Sequence, residues 1–220
     1  RMSVISNNLA NVNTTGFKKD RAVFEDLLYQ NIVPAGGQVD AESETPTGLM
    51  LGTGTRVVAT EKLHAQGNII TTENALDLAI SGDGYFSVQQ ADGTIAYTRD
   101  GGFKLSAEGS LVTAGGQAIL PAVVVPQNAA SLTIGRDGIV TVELANGGGS
   151  SQIGQLQLSR FVNNSGLQPI GRNLMQQTNA SGDPIVVIPG ADGAGMLMQG
   201  ALEASNVNVV EEMVNMIETQ

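Results

Sequence analysis

The sequence predicts a mainly β protein, an antiparallel body built of hairpins and flanked by truncated amphipathic helices at its N- and C-terminal ends. Three observations carry that expectation. Apolar and polar residues alternate with period two from Thr55 to about Ile188, Asp-Gly and Glu-Gly pairs punctuate the alternation, and each end of the chain carries an apolar stripe at helical spacing.

At the start, Met2, Ile5, Leu9 and Val12 follow the three-four-three rhythm of a helix seam, with Asn7, Asn8 and Asn11 beside it as candidates for lateral bonds to neighbouring chains. Asn13-Thr14-Thr15-Gly16 supplies the turn chemistry that ends this helix. The spacing of Val23, Phe24, Leu27 and Leu28 predicts a second short helix over Arg21–Gln30, closed by Pro34 and Gly36-Gly37. From Val33 to Gly54 small and polar residues dominate, which reads as a long loop or extended arm, poorly ordered in a free chain because it has little apolar surface to offset its ordering entropy.

In the body, Phe103-Lys104-Leu105, Leu132-Thr133-Ile134, Val140 to Leu144 and Leu156-Gln157-Leu158 read as half-buried strands. Asp92-Gly93, Asp100-Gly101, Glu108-Gly109 and Asp137-Gly138 are the expected hairpin turns, because glycine reaches the positive φ they require. The run Gly147-Gly148-Gly149-Ser150-Ser151 is the expected flexible loop. At the far end Asn208-Val209-Val210-Glu211 resembles a capping box, and Val210, Met213, Val214 and Ile217 share one face of the helix it opens. The chain starts inside one helical pattern and stops inside the other without a cap, so longer helices are expected in the natural protein. The resulting organisation is an N-terminal helical segment over 1–30, an arm over 31–54, a β-rich body over 55–203 and the start of a C-terminal helix over 204–220.

Composition narrows the function. A formal charge of −10 leaves no basic stripe for nucleic acid, and the cluster Lys18, Lys19 and Arg21 reads as a solvated exit from the first helix. No run reaches the ~20 apolar residues that cross a bilayer, so no membrane insertion is expected. With no cysteine and a single histidine, His64, no zinc site of ordinary spacing is available and no cofactor is expected; His64 reads as a surface or partly packed residue. No Gly-x-Ser-x-Gly elbow accompanies it. Asp83, Asp92, Asp100, Asp137 and Asp192 are numerous enough for carboxylate catalysis on glycans, yet each precedes a glycine and is covered by turn formation. What remains is two sticky helical faces and an arm, all suited to protein–protein contact.

The stretch Ser6-Asn7-Asn8-Leu9-Ala10-Asn11-Val12-Asn13-Thr14-Thr15-Gly16-Phe17-Lys18 resembles the N-terminal signature of bacterial flagellar rod and hook proteins, and Glu203-Ala204-Ser205-Asn206-Val207-Asn208 with Glu211 to Ile217 resembles their C-terminal helix. Leu76 to Phe86 and Tyr97 to Gly101 are similar to the β-domain motifs of the same family. Arg21 to Gln30, Gly52-Thr53-Gly54 with Arg56, His64 to Asn68, Leu111 to Gly116 and Ile134 to Gly138 resemble the subunits of the distal segment of the rod; a hook or proximal rod subunit is the alternative within the family. The resemblance implies a non-enzymatic structural protein, exported through the flagellar type III export apparatus. It also implies stacking with copies of itself into a torque-carrying shaft across the periplasm. Implied partners are proximal rod and hook-side axial proteins and the P-ring and L-ring proteins. The residues expected to make subunit contacts are Met2, Ile5, Asn8, Leu9, Asn11, Val12, Val210, Met213, Val214 and Ile217.

Overall fold

The structure, a computed structural model, describes residues 1–33, 35, 38–40, 43–44, 47–145 and 149–219. The period-two segments become antiparallel strands. A seven-stranded sheet runs in the order Lys104–Leu105, Leu111–Val112, Ala118–Leu120, Phe86–Gln89, Ile95–Thr98, Leu174–Gln176 and Gln168–Gly171. Beside it lie a three-stranded meander of Ala129–Ile134, Ile139–Leu144 and Ser150–Gln155, and paired strands such as Leu78–Ser81 with Met196–Gln199. Inward residues of these strands form one core that includes Leu78, Ile80, Phe86, Phe103, Val140 and Leu158, while Tyr85, Tyr97 and Phe161 stack edge-to-face in a second cluster.

Three of the four expected turns bend as the sequence predicts: Gly93, Gly109 and Gly138 have φ of 84°, 80° and 80°. The Asp100-Gly101 pair does something else. It is not a hairpin turn; Gly101 lies against the backbone at the start of the strand Leu78–Ser81, where a Cβ would meet the Leu78 carbonyl oxygen at 1.6 Å. Of the expected glycine loop, 147–148 lie outside the described residues, and Ser150-Ser151 begin the strand Ser150–Gln155.

The expected second helix over Arg21–Gln30 is absent. Asp20–Asp26 is a strand paired with Thr55–Lys62, and Tyr29–Val33 pairs with Leu49–Gly52, so the two pairs form a ribbon that leaves the base of the body. A ten-residue helix is marginal on its own, whereas here Thr55, Val57, Val58 and Thr60 supply a β-prone partner strand. Cross-strand ion pairs Asp20–Lys62, Arg21–Glu61 and Glu25–Arg56 then favour this register. The expected arm is therefore a β ribbon that begins at Asp20, and Thr55–Lys62, assigned by sequence to the body, belongs to it. Its stem is also less polar than the 31–54 reading held, because Tyr29, Ile32, Leu49, Met50 and Leu51 stand exposed on it. In the small, polar middle of the arm Gln38–Asp40 pairs antiparallel with Ser43–Glu44, and 34, 36–37, 41–42 and 45–46, on which part of the expected disorder falls, lie outside the described residues.

Two glycine substitutions test this account of the turns. Gly101→Ala, which forces a Cβ into the Leu78 carbonyl, is expected to cost more than about 2 kcal/mol. Gly93→Ala, where the added atom meets open space, is expected to cost about 1 kcal/mol through its positive φ. Urea unfolding of both variants checks the order; a larger loss for Gly93→Ala would contradict it.

Candidate assembly interface

The two ends of the chain meet at the base of the body. Helix α1 spans Met2–Ala10 and helix α2 spans Val209–Thr219, and they pack on one another although they are separated by the whole β body. Asn208 caps α2 with its side-chain oxygen, which accepts from the Val210 amide at 3.0 Å. Glu211, the fourth residue of the predicted capping box, instead pairs with Lys19 at 3.1 Å. Glu211 and Glu212 both lie in the first turn, where the helix dipole favours negative charge.

A buried ionic cluster welds this base together. Glu203 is 1% exposed; its Oε1 accepts from the Lys18 Nζ at 2.5 Å and from the Gly67 amide at 2.9 Å, and its Oε2 accepts from Arg99 Nη1 at 3.1 Å. Lys18 Nζ also donates to the Ala65 carbonyl, and Arg99 Nη2 to the Gly82 carbonyl. Burial lowers the Lys18 pKa, against the opposing pull of Glu203. The expectation that Lys18 lies on a solvated exit is thus overturned: its charge is paired inside the protein by a carboxylate 185 positions away. Nearby, the Glu203 carbonyl accepts from the Gly16 amide at 2.8 Å, and Asn206 bonds the Lys19 amide and the Leu63 and Ala65 carbonyls. The sequence reading has the two amphipathic helices pairing with each other or with neighbouring copies, and here they pair with each other; the buried ionic cluster is not legible there, since nothing in local spacing joins residues so far apart.

His64 is packed in the same junction, as expected for a partly packed histidine. Its Nδ1 lies 2.8 Å from the Tyr85 hydroxyl. Burial first, and then the charges of Lys18, Lys62 and Arg99, lower its pKa to about 4; burial raises that of Tyr85 to about 12. The arrangement keeps the imidazole neutral and the phenol protonated.

The predicted contact residues divide into two groups. Ile5 and Asn8 face inward and are buried, Leu9, Asn11 and Val12 are half-buried, and Met2 is exposed. Within the subunit Asn8 bonds the Asp20 backbone and Glu212. Asn11 is likewise occupied locally, donating to the Asn7 carbonyl and accepting from Thr14. On α2 the inward face is Val209, Glu212, Asn215, Met216 and Thr219. The outward face is the predicted stripe: Val210 is 71%, Met213 50%, Val214 50% and Ile217 73% exposed.

Three of the five Asp-Gly aspartates accept a bond from the backbone amide two residues on. Asp92 accepts from the Thr94 amide, Asp100 from Gly102 and Asp137 from Ile139, each at 3.0–3.2 Å. Among the described residues no group of three or more His, Cys, Asp or Glu side chains is arranged to hold a metal ion, and no helix is long and apolar enough to cross a membrane.

A β body whose two ends are tied into one helix pair, with an apolar helix face and a ribbon left uncovered, defines a class of protein built to meet other proteins through its base. Comparison with known proteins agrees along the chain. Family models described as "Flagella basal body rod protein", "Flagellar hook protein FlgE/F/G D1 domain" and "Flagellar basal body rod FlgEFG protein C-terminal" match residues 1–18, 79–142 and 198–220. The flagellar basal-body rod protein FlgG of Buchnera aphidicola subsp. Schizaphis graminum is 54% identical over 100% of this chain and 84% of its own length. FlgG of Borreliella burgdorferi is 45% identical over 100% of this chain and 83% of its own, and the rod protein FlgF of Caulobacter vibrioides is 33% identical over 100% and 81%. The chain belongs to the flagellar basal-body rod protein family.

Two outcomes follow from the junction. Glu203→Gln leaves Lys18 and Arg99 without their buried counter-charge and is expected to cost about 3–5 kcal/mol, read by chemical denaturation; a loss under 1 kcal/mol would show that the cluster is dispensable. For His64 the folded pKa, about 4, lies below the ordinary 6.5, so between these values the unfolded chain binds more protons. Its contribution to stability is therefore complete above about pH 6.5 and is lost as pH falls towards 4. The thermal midpoint of the native chain is expected to fall more between pH 7 and pH 4.5 than that of His64→Gln; equal falls would contradict this assignment.

Proposed function

We propose that this chain, a structural subunit of the distal rod in the flagellar basal body, assembles through the outward face of α2 and through its β ribbon. The carrying observation is the row Val210, Met213, Val214 and Ile217, apolar and exposed on a helix whose other face is already covered by the same chain. Apolar side chains at i, i+3, i+4 and i+7 match a helix–helix seam, which packs against a different face of a neighbouring copy. The contact is heterologous, so repeating it by a screw operation generates an open filament. Met2, on the exposed part of α1, and the half-buried Leu9 and Val12 extend this contact surface; Ile5, Asn8 and Asn11 support it from within the subunit.

The ribbon is the second contact. A two-stranded ribbon is marginally stable in water, and this one exposes Phe24, Tyr29, Ile32, Leu49, Met50 and Leu51. Such a surface braces against an adjacent copy, which gives a drive shaft the redundant lateral contacts that resist twisting. The body then lies outside the helices, towards the P-ring and L-ring proteins, and proximal rod and hook-side proteins cap the ends of the stack. The subunit reaches this location through the flagellar type III export apparatus.

The function is non-enzymatic. Support for this comes from the relatives, which are rod proteins, and from Asp92, Asp100 and Asp137, whose carboxylates are engaged by backbone amides two residues on. Identity of 54% and 45% to the two FlgG relatives against 33% to the FlgF relative favours the distal segment over the proximal one.

The test is Ile217→Asp in the full-length protein, expressed in a flagellated strain lacking the native copy. Because Ile217 is 73% exposed in the single subunit, the purified variant is expected to unfold within about 0.5 kcal/mol of the native protein. In the assembled contact the same carboxylate is buried without a partner, so rods and hooks are expected to be absent by electron microscopy of basal bodies. Normal rods built from this variant would overturn the assembly role of the α2 face.

A further inference from the structure

We infer that Asn8 fixes the angle at which the β ribbon leaves the helix pair, acting as a positioning residue for the two surfaces through which the subunit is read to assemble. Asn8 is 2% exposed and sits where α1, α2 and the root of the ribbon converge. Its side-chain amide is satisfied on both sides by one peptide position: Oδ1 accepts from the Asp20 amide at 2.9 Å and Nδ2 donates to the Asp20 carbonyl at 2.9 Å. Asn8 thereby mimics a neighbouring strand for the first residue of the ribbon. Its Nδ2 also lies 3.4 Å from Glu212 Oε2, on the buried face of α2 and 204 positions along the chain.

The ribbon root has further ties, but they are of different kinds. Asp20 Oδ1 accepts from Lys62 Nζ at 2.8 Å, which joins the two strands to each other, and Asn7 Nδ2 reaches Asp20 Oδ2 at 3.3 Å from the exposed side. Neither touches α2. Asn8 alone among the described side chains bonds both Asp20 and a residue of α2, and its planar amide fixes direction as well as distance. A buried amide in a helix contact is a known means of fixing register, because any shifted packing leaves its donors and acceptors unpaired. The same logic applies here to an angle. The importance of that angle for the rod rests on the assembly reading above, whereas the angle itself is a property of the single subunit and is tested there.

The chain has no cysteine, so spin labels can be placed at exposed sites without background. With labels at Leu51→Cys on the ribbon and Glu218→Cys on α2, pulsed electron spin resonance of the native background is expected to give one narrow distance distribution. Asn8→Leu removes both partners of Asp20 and is expected to broaden that distribution, while a control pair at Ala91→Cys and Glu108→Cys within the body stays unchanged. Asn8→Asp keeps the shape but loses the donor and sets a carboxylate against Glu212, so it is also expected to broaden the distribution. Adding Glu212→Gln restores a donor between positions 8 and 212, though not to the Asp20 carbonyl, and is expected to narrow it in part, a rescue that general loss of packing would not show. A distribution in Asn8→Leu as narrow as the native one, or no narrowing on adding Glu212→Gln to Asn8→Asp, would overturn the inference. Failure of rods to depend on Ile217 would instead overturn the assembly reading and leave the angle intact.

Discussion

Everything at the base of this subunit depends on burying one carboxylate between two cations. Glu203 stands at the end of the strand Ala201–Glu203 and is held by Lys18 from the N-terminal loop and Arg99 from the body. Taking three charges out of water is costly, and replacing the set with apolar groups would be as stable or more so in many proteins. Its value here is placement. Each hydrogen bond in the cluster has a defined direction, so the segment before the body and the segment after it are locked to the body in one geometry. Gly16, Gly67 and Asn206 add backbone bonds around the same point, leaving the terminal segments little freedom to pivot.

That rigidity explains how one chain presents two distant surfaces at once. A rod subunit proposed to carry torque through its helices and its ribbon must not yield between them. The buried cluster fixes the helices to the body, and Asn8 with Asp20 carries the connection on to the ribbon. The apolar face of α2 and the apolar stem of the ribbon are left uncovered in the single subunit.

Much of this was legible in the sequence where neighbours in the chain decide the outcome. The stripe Val210 to Ile217 and the Asn208 cap lie within a few residues of each other, and the Asp-Gly turns at Gly93 and Gly138 need only their own backbone. The misreadings arise where distant residues decide. Val23, Phe24, Leu27 and Leu28 have helical spacing, but pairing of Asp20–Asp26 with Thr55–Lys62 prevails over it. Leu49-Met50-Leu51 fall within a polar arm in the sequence reading because their partner strand, Tyr29–Val33, is divided there between the helix over 21–30 and the arm over 31–54. Lys18 carries no local sign of burial; its carboxylate comes from the opposite end of the chain.

The central claim is that the uncovered surfaces are subunit contacts held in place by an unchanging base. A density map of the assembled rod, at a resolution that shows side chains, tests it most directly. The account predicts Val210, Met213, Val214 and Ile217 packed against another copy, the ribbon stem lying on an adjacent subunit, and Lys18, Arg99 and Glu203 joined as they are in the single chain. A rod in which the α2 stripe faces solvent, or in which Glu203 has parted from both cations, would contradict it.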